Sequence, residues 1–118
     1  IALLKNEPDI MKIVSSSAEI YVSIISEFEF LSFSGLTDKD IKLFNSFLNR
    51  VTIADLNHSD CKLTTEIIQL RKSYNLKLPD AIIAASAITL NCTLVSADKG
   101  FSKIKSLKLL DLNSHSSC

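Results

Sequence analysis

The chain has 118 residues, of which 47% are apolar and only two are Gly and two Pro. This length and composition predict one domain with its own core and exclude disordered and collagen-like classes. Thirteen basic residues balance thirteen acidic ones, which excludes the overall basic surface typical of duplex-binding proteins, so any nucleic acid has to be bound at a local site.

The N-terminal part of the chain predicts helices on either side of one strand. A short helical piece at Ile1–Lys5 precedes a helix that begins at Pro8, because proline is favoured in a first helical turn. β-Branched and aromatic residues then predict a buried strand over residues 19–25. The next helix is predicted to begin at Ser26 and to end at Gly35.

The rest of the chain continues the alternation of helices and strands. Thr37 and Asp40 form a capping-box pattern at the start of a helix. The remaining elements are predicted as a strand at 50–54, a helix from Asn57 or Ser59 to Tyr74, a helix at 79–90, a strand at 92–95, a helical turn at 99–104 and a strand at 106–112. This order predicts one α/β domain over residues 1–112, with a parallel sheet covered on both faces, and a disordered tail at 113–118.

Three acidic residues are predicted near the carboxyl ends of strands, where α/β sheets place ligand sites. Glu29 follows the first predicted strand, Asp98 follows the strand at 92–95, and Asp80 opens the helix after Pro79. Each acid also has a structural explanation as a capping or dipole-complementing residue at a helix start. That explanation does not account for the nearly apolar sequence around Asp80 and Asp98.

Converging carboxylates repel one another and therefore bind protons or a cation. An all-oxygen site suits Mg²⁺ or Mn²⁺. Such an ion activates water and stabilises charge on a phosphoryl oxygen. If the three acids meet, the reaction class that follows is metal-assisted hydrolysis of a phosphodiester.

Three segments of the chain resemble PIN-domain ribonucleases, especially the VapC-type toxins. The most specific segment is residues 70–87, LRKSYNLKLPDAIIAASA. The strand–helix junction at 22–31, VSIISEFEFL, and the segment at 94–101, LVSADKGF, are weaker matches in the expected order and spacing.

The resemblance implies a Mg²⁺- or Mn²⁺-dependent endoribonuclease with a three-layer α/β/α fold. It assigns Glu29, Asp80 and Asp98 to the metal pocket, Ser96 to a supporting hydroxyl beside the metal, and Glu27 to the rim. It also implies an RNA substrate that is single-stranded or looped, an antitoxin protein as partner and a homodimer.

The sequence departs from the family pattern at two places. The family carries a further aspartate at the end of a first strand, just before the segment that matches Ile1–Lys5. We therefore expect that strand and its acid to be missing here, through trimming or a genuine loss, unless a neighbouring chain fills the gap. Many relatives also carry an acid at the position of Gly100.

Other polar residues have weaker claims to a role. Lys77 could contact RNA phosphates, although a solvated loop lysine is the simpler interpretation, and the same holds for Arg71 and Lys72. Neither His58 nor His115 has a partner at the spacing of a general base.

The cysteines and phenylalanines predict structural roles. The three cysteines form no C-x-x-C motif, so we expect neither zinc nor disulfides but a reducing, cytoplasmic compartment. Cys61 and Cys92 are expected in the core. We expect no membrane segment and see no secretory leader. Five phenylalanines are expected in the core or a dimer interface; they are Phe28, Phe30, Phe33, Phe44 and Phe47.

Two other functions remain open at this point. One is a non-catalytic PIN-like dimer or protein-binding module whose acidic metal pocket is incomplete. The other is a phosphoacceptor receiver domain, which is also small and has an acidic Mg²⁺ pocket. The receiver reading is weaker because the last strand, which ends at Leu112, is not followed by the lysine that such a domain needs.

Overall fold

The structure is a computed structural model that describes residues 20–96 and 98–111. The predictions for Ile1–Lys5, for the helix at Pro8, for the beginning of the first strand and for the tail at 113–118 lie outside these residues. The described residues form two compact units, 20–56 and 57–111, and each is described by itself. A single domain over 1–112 stays a prediction.

The first unit contains two parallel strands joined by two helices. Strand β1 (Tyr21–Ser23) pairs with β2 (Thr52–Ala54), and Val22 lies opposite Ile53. Helices α1 (Ile24–Leu31) and α2 (Asp38–Leu48) form the crossover between them. A parallel pair needs such a long connection, because a tight hairpin can only join antiparallel strands.

Helix α1 begins earlier than the sequence predicts. Its N-cap is Ser23, whose Oγ accepts a hydrogen bond from the Ile25 backbone N–H at 3.2 Å. The predicted start at Ser26, with Glu29 as its capping-box partner, is therefore wrong. The apolar run that predicts a strand to residue 25 already belongs to the helix from Ile24, because β-branched residues alone do not separate a short strand from a buried helix.

The start of α2 agrees with the prediction. The Asp40 backbone N–H donates to Thr37 Oγ1 at 3.2 Å, and the Thr37 backbone N–H donates to Asp40 Oδ2 at 3.1 Å. This reciprocal pair is the capping box expected from the sequence, and it satisfies two helix-end donors at once.

An aromatic cluster holds the first unit together. Phe30 on α1 and Phe44 on α2 are both buried, and their ring centroids lie 4.2 Å apart. Phe47 extends the cluster, with its ring centroid 6.5 Å from that of Phe44. Phe28 and Phe33 are more than half exposed, so they are not core residues, and the dimer-interface alternative stays a prediction for these two.

The second unit consists of two packed helices, two parallel strands and a 3₁₀ turn. Its elements are α3 (Cys61–Tyr74), α4 (Leu78–Thr89), β3 (Leu94–Ser96), the 3₁₀ helix Lys99–Lys103 and β4 (Leu109–Asp111). Strand β3 pairs in parallel with β4, and Ser96 lies opposite Asp111. The helices α3 and α4 pack against each other.

The packing of α3 against α4 follows from their sequences. Helix α3 buries Leu63, Ile67 and Leu70, which recur at helical spacing. Helix α4 buries a set of small residues with Ile82, and small side chains allow a close approach of the helix axes. The buried residues of α4 are Ala81, Ile82, Ala84, Ala85, Ser86 and Ala87.

The N-cap of α3 differs from the predicted one, and its C-cap has a conformation that the sequence analysis did not predict. Its N-cap is Asp60, which accepts a hydrogen bond from the Leu63 N–H at 3.2 Å, instead of Asn57 or Ser59. Asn57 caps the loop before the helix by accepting from Ser59 N at 3.0 Å. The helix ends at Asn75, which adopts a left-handed conformation with φ of 53°, a position that asparagine tolerates better than most residues.

The described residues confirm an α/β fold with parallel strands, in two pairs. Each strand is three residues long, shorter than its predicted run. Over residues 20–96 and 98–111, no helix is both long and apolar enough to cross a bilayer.

Candidate active site

Asp80 lies in the first turn of α4 and is half-buried. The N-cap of α4 is Lys77, which makes no side-chain capping bond. Asp80 is therefore the acidic side chain that complements the positive end of this helix dipole. The helix dipole explains an acid at position 80. It does not explain why a second acid, Asp98, acts on Asp80.

Asp98 is held in place by the chain around it. It is the N-cap of the 3₁₀ helix, and its Oδ1 accepts a hydrogen bond from the Gly100 N–H at 2.8 Å. Its own backbone N–H donates to Ser96 Oγ at 3.0 Å. Ser96 ends β3 and is buried, so its hydroxyl ties the end of the strand to the backbone of Asp98. One carboxylate oxygen of Asp98 is fixed by Gly100, and the other carries no hydrogen bond within the described chain.

The two aspartates interact. Burial raises the pKa of the Asp80 carboxyl, and the negative charge of Asp98 raises it further, whereas Lys77 and Lys103 act in the opposite direction. A like charge raises a carboxyl pKa only when it lies nearby. The assignment of Asp80 and Asp98 to one shared metal site stays a prediction.

Glu29 belongs to the other compact unit. It lies in the second half of α1 and is exposed, whereas Glu27 lies in the first turn of α1 and is half-buried. The place of Glu29 in a shared site with Asp80 and Asp98 stays a prediction. Among residues 20–96 and 98–111, no group of three or more His, Cys, Asp or Glu side chains is arranged to hold a metal ion.

The donor set of the aspartate pair nevertheless fits a hard divalent cation. Mg²⁺ is commonly bound in proteins by one or two carboxylates, with water and substrate phosphate completing an octahedron. Asp80 and Asp98 supply two carboxylates that repel each other in the absence of a cation. A divalent ion between them would relieve that repulsion, so the pair fits half of an acidic metal site.

Sequence reasoning missed one charged residue near the pair. Lys103 is the last residue of the 3₁₀ helix, is exposed, and lowers the pKa of Asp80 together with Lys77. The sequence carries no signal for it, because an exposed lysine in a turn has no burial pattern.

The histidine and cysteines give no sign of catalysis in the described chain. His58 is exposed in the loop before α3. Cys61 is exposed at the start of α3, so its expected core position is wrong, because the first turn of this helix lies at the surface. Cys92 is half-buried, and its thiol donates to the Leu90 carbonyl at 3.6 Å.

A shallow depression of about 450 Å³ lies elsewhere on the second unit. Its lining includes Cys61, Glu66 and Thr89. Thr89 is at the opposite end of α4 from Asp80, so the depression is distinct from the aspartate pair.

Comparison with known proteins agrees with the resemblance seen in the sequence. The family model of the PIN domain matches residues 1–107. No curated protein sequence is a significant match.

Solved structures of toxin–antitoxin complexes share the fold. The VapBC2 complex of Rickettsia felis, bound to a DNA fragment of its promoter, is 25% identical with a TM-score of 0.71, covering 89% of this chain and 83% of that chain. A toxin–antitoxin complex of Klebsiella pneumoniae is 21% identical with a TM-score of 0.70, covering 92% and 87%. VapBC-1 of nontypeable Haemophilus influenzae is 22% identical with a TM-score of 0.75, covering 92% and 89%.

Proposed function

The chain belongs to the PIN-domain family, whose members are typically nucleases, and from this premise we propose that it is a divalent-metal-dependent endoribonuclease of the VapC type. The observation that supports this most directly is the interaction of Asp80 with Asp98. Asp80 opens α4 and Asp98 follows β3, and we propose that their carboxylates share one site.

The proposed roles follow from the placement of each side chain. Asp80 and Asp98 bind Mg²⁺ or Mn²⁺, and the Ser96 hydroxyl keeps the backbone of Asp98 in position. Glu29 completes the acidic site or orients the attacking water. A cation bound there would lower the pKa of its bound water and would neutralise charge on the phosphoryl oxygens.

The chain's own residues have three tasks in hydrolysis. The aspartates hold the site's negative charge in a fixed geometry, since the Gly100 N–H anchors Asp98 Oδ1. Glu29 completes the acidic site as a further ligand or orients the attacking water. Lys77 contacts a phosphate of the single-stranded or looped RNA substrate, whose backbone can enter a narrow site.

We extend the proposal to the partner and the setting. The structural neighbour from Klebsiella pneumoniae is a toxin–antitoxin complex, so we propose that an antitoxin protein inhibits this chain. We also propose a homodimer and a cytoplasmic location. The exposed Phe28 and Phe33 are compatible with a protein interface.

The test is cleavage of single-stranded RNA by the chain in Mg²⁺ or Mn²⁺ and in EDTA. We expect cleavage that depends on the cation and is lost in Asp80→Asn. Asp60→Asn is the matched control: it removes an exposed carboxylate at the N-cap of α3, and asparagine caps a helix as well as aspartate does. Full activity of Asp80→Asn would contradict the proposal.

A second candidate is a non-catalytic PIN-like binding module with an incomplete acidic pocket. One observation favours it: the part of the chain that the structure describes contains no cluster of three potential metal ligands. A Mn²⁺ titration separates the two candidates. An incomplete pocket binds Mn²⁺ weakly and cuts no RNA, whereas the nuclease binds Mn²⁺ and cuts.

A further inference from the structure

The hydroxyl of Tyr74 joins two segments of the second unit that are distant in the sequence. Tyr74 is the last residue of α3 and is half-buried, and its Oη accepts a hydrogen bond from the Lys105 backbone N–H at 3.3 Å. Tyrosine has an apolar ring and a polar tip, so a half-buried ring can still present its hydroxyl to a neighbouring segment. This bond therefore ties the end of α3 to the chain that follows the 3₁₀ helix.

The α3 side of this hydrogen bond leads directly to Asp80. Only residues 75–77 connect α3 to α4, and Arg71 Nε donates to the Leu76 carbonyl at 3.3 Å within this connection. Leu76 is also buried, which fixes the connection a second time. A short connection held in this way leaves the first turn of α4, with Asp80, little freedom relative to Tyr74.

The other side of the hydrogen bond leads to Asp98. Lys105 comes shortly after the 3₁₀ helix Lys99–Lys103, whose N-cap is Asp98. Phe101 and Ile104 anchor this segment by burial. Hydrophobic burial is non-directional, and 3₁₀ hydrogen bonds have poorer geometry than those of an α-helix, so these contacts leave the orientation of the segment loosely fixed. A directional hydrogen bond to the Lys105 N–H restricts that orientation.

We propose that the Tyr74 hydroxyl is a positioning group for the acidic site. By holding the Lys105 backbone, it fixes the 3₁₀ segment that carries Asp98 relative to the start of α4 that carries Asp80. The inference rests on the proposed nuclease function, in which both aspartates act. The packing of α3 alone does not call for the hydroxyl, because phenylalanine has the same ring.

Thr89→Val is the matched control for Tyr74→Phe, because each substitution removes one hydroxyl from the second unit and nearly preserves the shape of the side chain. Thr89 Oγ1 donates to the Ser86 carbonyl, also at 3.3 Å, and Thr89 is at the opposite end of α4 from Asp80. In Tyr74→Phe the Lys105 N–H can bond to water instead, since Lys105 is exposed. We therefore expect both variants to fold.

The first experiment uses NMR to measure the exchange of backbone amide protons with water, in EDTA, for the unaltered chain and both variants. In Tyr74→Phe we expect several-fold faster exchange at the Lys105 N–H, which loses its acceptor, and at the Gly100 N–H, which donates to Asp98 Oδ1. Thr89→Val should leave both rates unchanged. Faster exchange at Lys105 alone, or at neither amide, would overturn the inference, because Asp98 would then be positioned without Tyr74.

The second experiment measures RNA cleavage in Mg²⁺, and the Kd for Mn²⁺, at a temperature where both variants are folded. For Tyr74→Phe we expect kcat to fall by roughly 3- to 10-fold with KM nearly unchanged, since displacement of a catalytic group by about 1 Å can reduce a rate 100-fold. We also expect the Kd for Mn²⁺ to rise several-fold. A merely structural role would lower the denaturation midpoint but leave kcat and Mn²⁺ affinity as in Thr89→Val, and that result would overturn the inference.

The two experiments distinguish failure of this inference from failure of the proposed function. If the unaltered chain cuts RNA and Tyr74→Phe cuts it with the same kcat, the inference fails and the nuclease function stands. If the unaltered chain binds Mn²⁺ but cuts no RNA, the nuclease function fails. Faster exchange at Gly100 and weaker Mn²⁺ binding in Tyr74→Phe would then still establish the positioning role of Tyr74.

Discussion

Asp80 and Asp98 come from separate elements, yet the charge of Asp98 adds to burial in raising the pKa of Asp80. A pair of this kind lowers the stability of the folded chain unless a cation or a proton lies between them. Stability given up at a site in this way is expected where function needs it.

The first prediction concerns stability against pH without metal. The folded chain holds the Asp80 proton more tightly than the unfolded chain does, because the pKa of Asp80 is raised in the fold. The free energy of unfolding therefore falls as the pH rises from the ordinary aspartate pKa through the raised value. Asp80→Asn removes this loss, so in EDTA at pH 7 the variant should be more stable, by less than about 1 kcal/mol because solvent screens a partly exposed pair.

Urea unfolding in EDTA at pH 7 and at pH 3.5 checks this prediction. The stabilising effect of Asp80→Asn should be present at pH 7 and shrink at pH 3.5, below the ordinary aspartate pKa of 3.8, where Asp80 is mostly protonated in both states. Asp60→Asn is the control, since Asp60 lies at the N-cap of α3. A gain in stability for Asp80→Asn that is the same at both pH values would show that the effect is not electrostatic.

The second prediction concerns Gly100. A Cβ at this position would lie 3.2 Å from Asp98 Oδ1, the oxygen that the Gly100 N–H holds at 2.8 Å. In Gly100→Ala the carboxylate has to move by a few tenths of an ångström. We expect kcat for RNA cleavage to fall by roughly 3- to 10-fold, because displacement of a catalytic group by about 1 Å can reduce a rate 100-fold.

Ser102→Ala provides the control for Gly100→Ala. Ser102 lies in the same 3₁₀ helix, and its hydroxyl donates to the Lys99 carbonyl at 2.7 Å without touching Asp98. Gly100 has no positive φ, so alanine introduces no backbone strain there. Unchanged kcat and unchanged Mn²⁺ affinity in Gly100→Ala would show that the position of Asp98 Oδ1 is unimportant.

The third prediction tests the aromatic core of the first unit. Phe44 is 4% exposed and contacts Phe30, so Phe44→Ala should lower the free energy of unfolding by about 3–5 kcal/mol. Leu43 is its neighbour on α2 and is 45% exposed; Leu43→Ala should change stability by no more than about 0.5 kcal/mol. Chemical denaturation of both variants measures the difference, and similar losses would contradict the assigned burial.

The sequence predicts the α/β class and the positions of the helices well. The reason is that α2, α3 and α4 carry strong local signals: the Thr37–Asp40 capping box, the periodic leucines and isoleucines of α3, and Pro79 in the first turn of α4. The boundary between β1 and α1 was missed. In the run from Val22 to Ile25 the same β-branched residues suit either element, and only the hydrogen bond to Ser23 Oγ decides where the helix begins.

The candidate site was predictable to the extent that it depends on strand ends. Asp98 follows the apolar strand β3, whereas Asp80 opens α4, and ligand sites in α/β folds lie beyond the carboxyl ends of the strands. Lys103 was not predictable in this way, because an exposed lysine has no burial pattern. Its position depends on how the 3₁₀ helix leaves Asp98, which a sequence pattern does not show.

The fourth prediction separates the two glutamates of α1. The resemblance to the PIN-domain segment assigns Glu29 to the metal site, whereas the structure leaves Glu29 exposed and Glu27 half-buried near the start of the helix. Half-burial does not separate the two glutamates, because the proposed ligand Asp80 is half-buried as well, so the assignment of Glu29 rests on the resemblance. We therefore expect Glu29→Gln to lower kcat for RNA cleavage by at least about 100-fold, as the loss of a group that positions or deprotonates water does.

Glu27→Gln is the matched control on the same helix. It should change kcat by less than about 3-fold, because the resemblance places Glu27 at the rim of the site, where it touches no reacting atom. Mn²⁺ affinity measured in parallel distinguishes ligation from proton transfer by Glu29. Weaker Mn²⁺ binding in Glu29→Gln indicates a ligand, whereas unchanged binding with a lower kcat indicates a base. The reverse ranking, with Glu27→Gln inactive and Glu29→Gln active, would move the third acid of the site to the first turn of α1.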